Sequence, residues 1–231
     1  MTVRDVGVVI VAGGSSSRTG DGELKQFRWV AGRPMLLHTL QLFQSRADVA
    51  MVVCVLPREY AGDPPPWIFQ SDTERMLVSV GGRTRAESVR NGIADLTPAC
   101  RVVLVHDAAR PLVPMAVVDR VVDAVRAGTS AIAALPVVDT LKEVGDDGRS
   151  IVRTVERAGL WRAQTPQGFP RDILLRAHRA AEDGQYEATD DAALVERIGE
   201  PVLVVRGSER AMKVTEAGDF ERAEAMYGLE D

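Results

Sequence analysis

Only two cysteines and three histidines occur in the 231 residues. Cys54 sits inside an apolar, strand-like run and Cys100 just ahead of another, and neither has a metal-ligand spacing or an evident catalytic partner, so both read as buried free thiols. No histidine, cysteine and glutamate cluster has the spacing of a zinc site. Positive charge is not in excess: the net charge is −5 and the isoelectric point about 5.4. That excludes a general basic footprint for nucleic acid or an anionic membrane surface, and any anionic ligand must be held by local groups. No stretch approaches the roughly eighteen apolar residues of a spanning helix, and the N-terminal apolar run is too short for a signal peptide, so a cytoplasmic protein is expected. Internal repeats and low-complexity tracts are also missing. With 45% hydrophobic residues the chain can bury a good core, and one main domain is expected.

Two nucleotide-binding spellings are absent as well. A Walker A loop needs Gly-Lys-Ser/Thr after its second glycine, but Gly20 is followed by Asp21 and Gly22. A dinucleotide fingerprint needs Gly-x-Gly-x-x-Gly with an acidic residue about twenty positions on, and the region in question reads Gly32-Arg33-Pro34-Met35. Neither a P-loop nor a nicotinamide cofactor fits.

What is present is a loop directly after a buried strand. Val6, Val8, Val9, Ile10 and Val11 form a β-branched run. Val11-Ala12-Gly13-Gly14-Ser15-Ser16-Ser17-Arg18-Thr19-Gly20 follows, and then Lys25-Gln26-Phe27. Glycines without Cβ atoms let backbone N–H groups come close to phosphate oxygens, while Arg18 and Lys25 add a planar fork and a compact point charge. The combination suits a nucleoside triphosphate, although a Gly/Ser-rich loop alone is also an ordinary surface turn.

Further along, Pro34 to Phe43 has helical spacing, Met51 to Leu56 reads as a buried strand, and Pro57 to Pro66, with four of the twelve prolines, reads as a connection. Met76 to Val80 is predicted as a strand and Thr84 to Leu96 as a helix. Val102 to Val105 is a strand with His106-Asp107 at its carboxyl end, Pro114 to Ala127 a helix, and Ser130 to Leu135 a strand. This alternation implies an α/β, Rossmann-like doubly wound, mostly parallel sheet whose ligands bind beyond the carboxyl ends of the strands. Residues 137–157 break the pattern: alternating apolar residues approach and leave a turn at Asp146-Asp147-Gly148, as in a β-hairpin. A lone hairpin is marginal in water and needs cover, from its own domain or from a second subunit. Arg171 to Glu182, Asp190 to Ile198 and Glu216 to Met226 read as helices, and Val202 to Val205 as a strand.

Several ordered blocks carry a resemblance. The Ala-Gly-Gly-x-x-Ser-Arg-x-Gly loop with Lys-Gln-Phe resembles sugar-nucleotide pyrophosphorylases and related nucleotidyltransferases. Gly81-Gly82-Arg83-Thr84-Arg85-Ala86-Glu87-Ser88-Val89, Val105-His106-Asp107-Ala108-Ala109-Arg110-Pro111 and Glu156 to Phe169 narrow it, together with Asp139-Thr140-Leu141-Lys142, Thr189-Asp190-Asp191-Ala192 and Lys213-Val214-Thr215. Together they resemble the 2-C-methyl-D-erythritol 4-phosphate cytidylyltransferases, from residue 6 to about 227.

The resemblance implies a single nucleotidyltransferase domain over 1–231 with 137–157 as an arm exchanged across a homodimer, CTP and a small polyol phosphate as substrates, and Mg²⁺ as the cofactor. Because the chain ends shortly after the last matched block, the cyclodiphosphate synthase domain that is fused to such enzymes in some organisms is expected to be absent. Arg18 and Lys25 match the catalytic positions, and Asp107 matches the carboxylate that holds the metal, with a helix N-cap as its plainer reading. Ala12, Gly13, Gly14, Gly82, Ser88 and Ala108 match CTP-binding positions. Arg85 belongs with them or is a structural bridge. Arg110, Thr189 and Lys213 from one subunit, with Thr140 and Arg157 from the other's arm, match the acceptor site. His106 and His38 read as structural, and Asp190-Asp191 either as a second metal site or, at least as readily, as an acidic start for the helix that follows.

Two features depart from the family pattern. Arg83 stands where a small or acidic residue is commoner, and Val11-Ala12-Gly13-Gly14 is nearer to ribitol-5-phosphate cytidylyltransferases than Pro-Ala-Ala-Gly is. The later blocks favour methylerythritol phosphate. A silent nucleotide-binding regulator is the reading from another class, and intact Arg18, Lys25 and Asp107 argue against it.

Overall fold

The computed structural model describes residues 3–13 and 24–229. Gly14 and Arg18 lie outside the described residues.

Strand β1 (Val6–Val11) is flanked in parallel by β4 (Val49–Leu56) and β6 (Val102–Asp107), and β5 (Met76–Val80) lies outside β4. On the other side of β6 come β10 (Trp161–Pro170), β7 (Ser130–Pro136) and β11 (Val202–Arg206), giving the order β11-β7-β10-β6-β1-β4-β5. The central strands are apolar on both faces, and their alternation divides the core in two. Val8, Ile10, Val52, Cys54 and Leu104 meet α1 (Met35–Gln44) and α4 (Met115–Arg126), while Val9, Val53, Val55, Val103 and Val105 meet α3 (Arg85–Asp95), α5 (Arg171–Asp183) and α6 (Asp191–Arg197). Helices on both faces make the sheet doubly wound. Both thiols are buried, and burial pushes Cys54 up to about 12, which keeps it protonated.

The sheet departs from the sequence expectation at β10, which is antiparallel to both β6 and β7 and had no sequence signal as a strand. Proline and glycine in its interior, with Gln164 and Gln167, speak against a central strand. The register shift between Ala163 and Gln167 resolves the conflict, because Pro166 falls where no ladder bond is required. The proline-rich connection also differs from expectation, since it holds a one-turn helix, α2 (Arg58–Ala61), and a 3₁₀ turn (Pro66–Gln70). Tyr60 and Trp67 from these turns stand edge-on to Phe27 at 5.0 and 5.2 Å, which fixes the segment carrying Lys25 to the core. A small ladder of β2 (Trp29–Val30) with β3 (Arg33–Pro34) follows that segment and is covered by α7 (Ala217–Tyr227), with Arg28 over the Phe220 ring.

The hairpin forms as expected from β8 (Leu141–Val144) and β9 (Ile151–Val155), paired Lys142 to Thr154 and Glu143 to Arg153. It is a separate two-stranded sheet, and it leaves Val138, Val144, Ile151 and Val152 exposed. No helix of the described residues is long and apolar enough to cross a membrane.

Candidate active site

A pocket of about 460 Å³ opens beyond the carboxyl ends of β1 and β6, lined by Ala12, Gly13, Lys25, Gly82, Arg85, Ser88, Asp107, Ala108 and Lys213 among others. Val11 and Asp107 are register partners, so the residues after both strands emerge side by side. Ala12 is anchored by its N–H to the Val55 carbonyl at 2.9 Å, and Gln26 donates its side-chain amide to the Ala12 carbonyl. The 3₁₀ turn Lys25–Phe27 is thereby tied to the loop strand, with Lys25 on the pocket wall.

The opposite wall is the start of α3. Thr84 caps the helix by accepting from the Glu87 N–H at 3.1 Å, and Glu87 in turn accepts from the Arg83 N–H at 2.8 Å. A Cβ on Gly82 would lie 2.2 Å from Glu87 Cγ, so only glycine allows this turn. Ser88 accepts from the Gly82 N–H and donates to the Thr84 carbonyl, so its hydroxyl hydrogen holds the wall rather than facing a ligand. Gly13 opposes it closely, since a Cβ there would meet Ser88 Oγ at 3.4 Å.

Asp107 carries the charge pattern. Its Oδ2 accepts from Lys213 Nζ at 2.8 Å and lies 4.0 Å from Arg110 Nε, and its Oδ1 faces Arg85 Nη2 at 3.5 Å. Burial would raise its pKa, but the cations Arg85, Lys213 and Arg110 outweigh burial and hold it well below the usual carboxylate range. It is not a helix cap, because the following helix α4 begins after Pro114. Its main chain is fixed by a relay of hydrogen bonds. The Asp107 N–H donates to Thr165 Oγ1 at 3.0 Å, Thr165 Oγ1 lies 3.0 Å from His106 Nδ1, and His106 Nε2 lies 3.1 Å from the Arg110 carbonyl. Because the Arg110 carbonyl can only accept, Nε2 carries the hydrogen and Nδ1 accepts from the threonine. Burial takes His106 down to about 4, so it stays neutral and structural, as its sequence context suggests.

Arg85 turns out to be both a pocket residue and a bridge: Nη1 donates to Asp191 Oδ2 at 2.7 Å while Nη2 faces Asp107. Arg110 is part-buried and donates to the Ala211 carbonyl at 2.6 Å, and its burial lowers its pKa. Of the expected residues that the structure describes, Arg110, Thr140, Arg157 and Thr189 do not line this pocket. Thr189 is exposed ahead of α6. Thr140 and Arg157 are exposed at the base of the arm, where Arg157 donates to the Val138 carbonyl.

Sequence reasoning missed Thr165, Gln167, His178 and Asp191. Asp190 does cap α6, accepting from the Ala193 N–H at 3.0 Å, but Asp191 turns inward to Arg85 and to His178 Nε2 at 2.9 Å. The signal was available: Asp191, Leu194 and Val195 fall on one helical face, as do Leu174, Ala177, His178 and Ala181. A carboxylate and an imidazole each placed on an apolar face call for a partner.

The comparisons agree with this architecture. The family model for 2-C-methyl-D-erythritol 4-phosphate cytidylyltransferase matches residues 6–228. A protein of that name from Streptomyces coelicolor is 44% identical over 227 residues, covering 94% of this chain and 83% of the relative. Another from Syntrophus aciditrophicus is 39% identical over 226 residues, covering 96% of each. The crystal structure of the Thermus thermophilus protein of that name superposes with a TM-score of 0.82 at 36% identity, covering 97% of this chain and 100% of that one. By sequence over nearly its whole length and by fold, the chain belongs to the 2-C-methyl-D-erythritol 4-phosphate cytidylyltransferase family.

Proposed function

We infer that this chain transfers CMP from CTP to 2-C-methyl-D-erythritol 4-phosphate in isoprenoid precursor synthesis in the cytoplasm, releasing pyrophosphate and working as a homodimer with Mg²⁺. The observation that carries the reading is the pocket itself: a glycine-lined floor, one part-buried carboxylate, and Lys25, Arg85 and Lys213 on its walls. In the reaction an oxygen of the acceptor phosphate attacks the α-phosphorus of CTP. The new O–P bond forms as the bond to the β-phosphate oxygen breaks, and the electron pair leaves with pyrophosphate. Such a transfer needs no nucleophilic side chain; it needs alignment and cations where charge develops. Lys25, with Arg18, serves the triphosphate and the leaving group. Gly13 and Gly82 let the backbone come close to the nucleotide.

The residues present fit Mg²⁺. No group of three or more His, Cys, Asp or Glu residues converges among the described residues, and Asp107 is the one carboxylate among the described pocket-lining residues. Mg²⁺ is commonly held in this way, by one or two carboxylates with water and substrate phosphates. When bound it neutralises phosphate charge and draws the reacting groups into one geometry. Asp107 Oδ1, loosely engaged at 3.5 Å, is the atom best placed to hold it.

The acceptor phosphate falls to Arg110, Lys213 and Thr189 of one subunit and to Thr140 and Arg157 on the arm of a second copy. Exposed apolar residues on the arm support a covered, paired state. Arg157→Ala is expected to raise the acceptor KM by about tenfold or more with the KM for CTP nearly unchanged, as loss of a charged phosphate contact implies. Steady-state kinetics check it, and an unchanged acceptor KM would remove the exchanged arm from the account.

A further inference from the structure

The Arg85 guanidinium lies between two carboxylates and does not treat them alike. Asp191, 1% exposed, receives Nη1 at 2.7 Å, whereas Asp107 faces Nη2 at 3.5 Å. Charge pairs strengthen as water is excluded, so the drier partner takes the tighter bond. Burial would lower the Arg85 pKa, and Asp191 and Asp107 more than offset it.

Asp191 is itself immobilised from every side. Its Oδ1 accepts from His178 Nε2 at 2.9 Å, which holds the carboxylate plane and gives the guanidinium a single close contact, at Oδ2. Gln167 Oε1, on β10, accepts from the Asp191 and Ala192 N–H groups at 3.2 Å each, and Gln167 Nε2 donates to Asp190 Oδ2 at 2.7 Å. The start of α6 is therefore pinned to the sheet two residues from Thr165, which fixes the Asp107 backbone.

We propose that Asp191, clamped by His178, is a positioning residue that holds Arg85 back from Asp107 and so leaves Asp107 Oδ1 open to a divalent cation bound with the nucleotide. The proposal rests on the functional reading above. With the charge of Asp191 gone, Asp107 is the carboxylate that Arg85 still touches, since Asp190, whose charge also acts on Arg85, is engaged by Gln167 Nε2 and the Ala193 N–H; a guanidinium closes readily on a single carboxylate with two parallel hydrogen bonds. That pairing would occupy the oxygen the cation needs. A group acting on a ligand through another side chain typically changes metal affinity by about ten- to a hundredfold.

The test is calorimetric binding of α,β-methylene CTP with and without Mn²⁺, on wild type, Asp191→Asn, Arg85→Gln and the double variant, each checked for a cooperative melt. In wild type, Mn²⁺ should tighten analogue binding. Asp191→Asn should reduce that metal-dependent gain by about tenfold while leaving metal-free binding nearly unchanged. In the Arg85→Gln background the Asp191 change should add nothing, because the group it restrains is gone. The double variant also lacks the guanidinium that loses its tighter partner in Asp191→Asn, so this comparison remains readable if Asp191→Asn alone folds poorly. Equal weakening with and without Mn²⁺, or a further loss in the double variant relative to Arg85→Gln, would overturn the proposal. A wild type that neither binds the analogue nor releases pyrophosphate from CTP would instead overturn the functional reading beneath it.

Discussion

Lys25→Ala is expected to lower kcat by about 10²–10³-fold, the usual effect of removing one preorganised group from a site of developing charge. Three features support a loss of this size. Lys25 lines the pocket, its turn is fixed by Gln26 to the loop strand and by Phe27 to Tyr60 and Trp67, and the net charge of −5 provides no general field for binding a triphosphate. The side chain is partly exposed, while Gln26 and Phe27 are the buried residues of the turn, so the variant should still unfold cooperatively, with a stability loss of about 1 kcal/mol or less. Turnover measured alongside thermal unfolding separates the two effects. A folded variant with wild-type turnover would take Lys25 out of the mechanism.

Asp107→Asn is the second large effect. The amide keeps the shape but removes the charge that faces Lys213, Arg85 and Arg110, together with the proposed anionic ligand for Mg²⁺. Turnover should fall by about 10³-fold, and raising the Mg²⁺ concentration should not restore it. The stability consequence has a defined sign. The folded pKa of Asp107 lies below its unfolded value, so its contribution is present above the ordinary carboxylate range and is lost as pH falls through the folded value. The Asn variant should be less stable than wild type at neutral pH, and the difference should narrow below about pH 4. Urea unfolding at several pH values reads this directly. A constant difference across the range would contradict the electrostatic account of Asp107.

Much of the fold was legible because its strands are buried on both faces. The Val-rich runs of β1, β4 and β6 and the turn at Gly148 have few alternative readings. Strand β10 was not legible, since Pro166 and Gly168 are tolerated only through a register shift that depends on the neighbouring strands. The site divides in the same way. Gly13, Gly82, Asp107 and Ala108 come from separate strand ends, and Lys25, Arg85 and Lys213 from the turn, helix start and loop beside them, and all converge on one pocket beyond the sheet. Asp191 and His178 were hidden because reading Asp190-Asp191 as a helix start explained both residues at once. Only the roughly 100° turn between successive helical residues separates the capping aspartate from the buried one.

The most direct test of the central claim is pyrophosphate release from CTP and Mg²⁺ with 2-C-methyl-D-erythritol 4-phosphate or ribitol 5-phosphate at matched concentrations. Release with the first acceptor and not the second is the expected result. Release with ribitol 5-phosphate alone would keep the chemistry and contradict the acceptor, and release with neither would contradict the account as a whole.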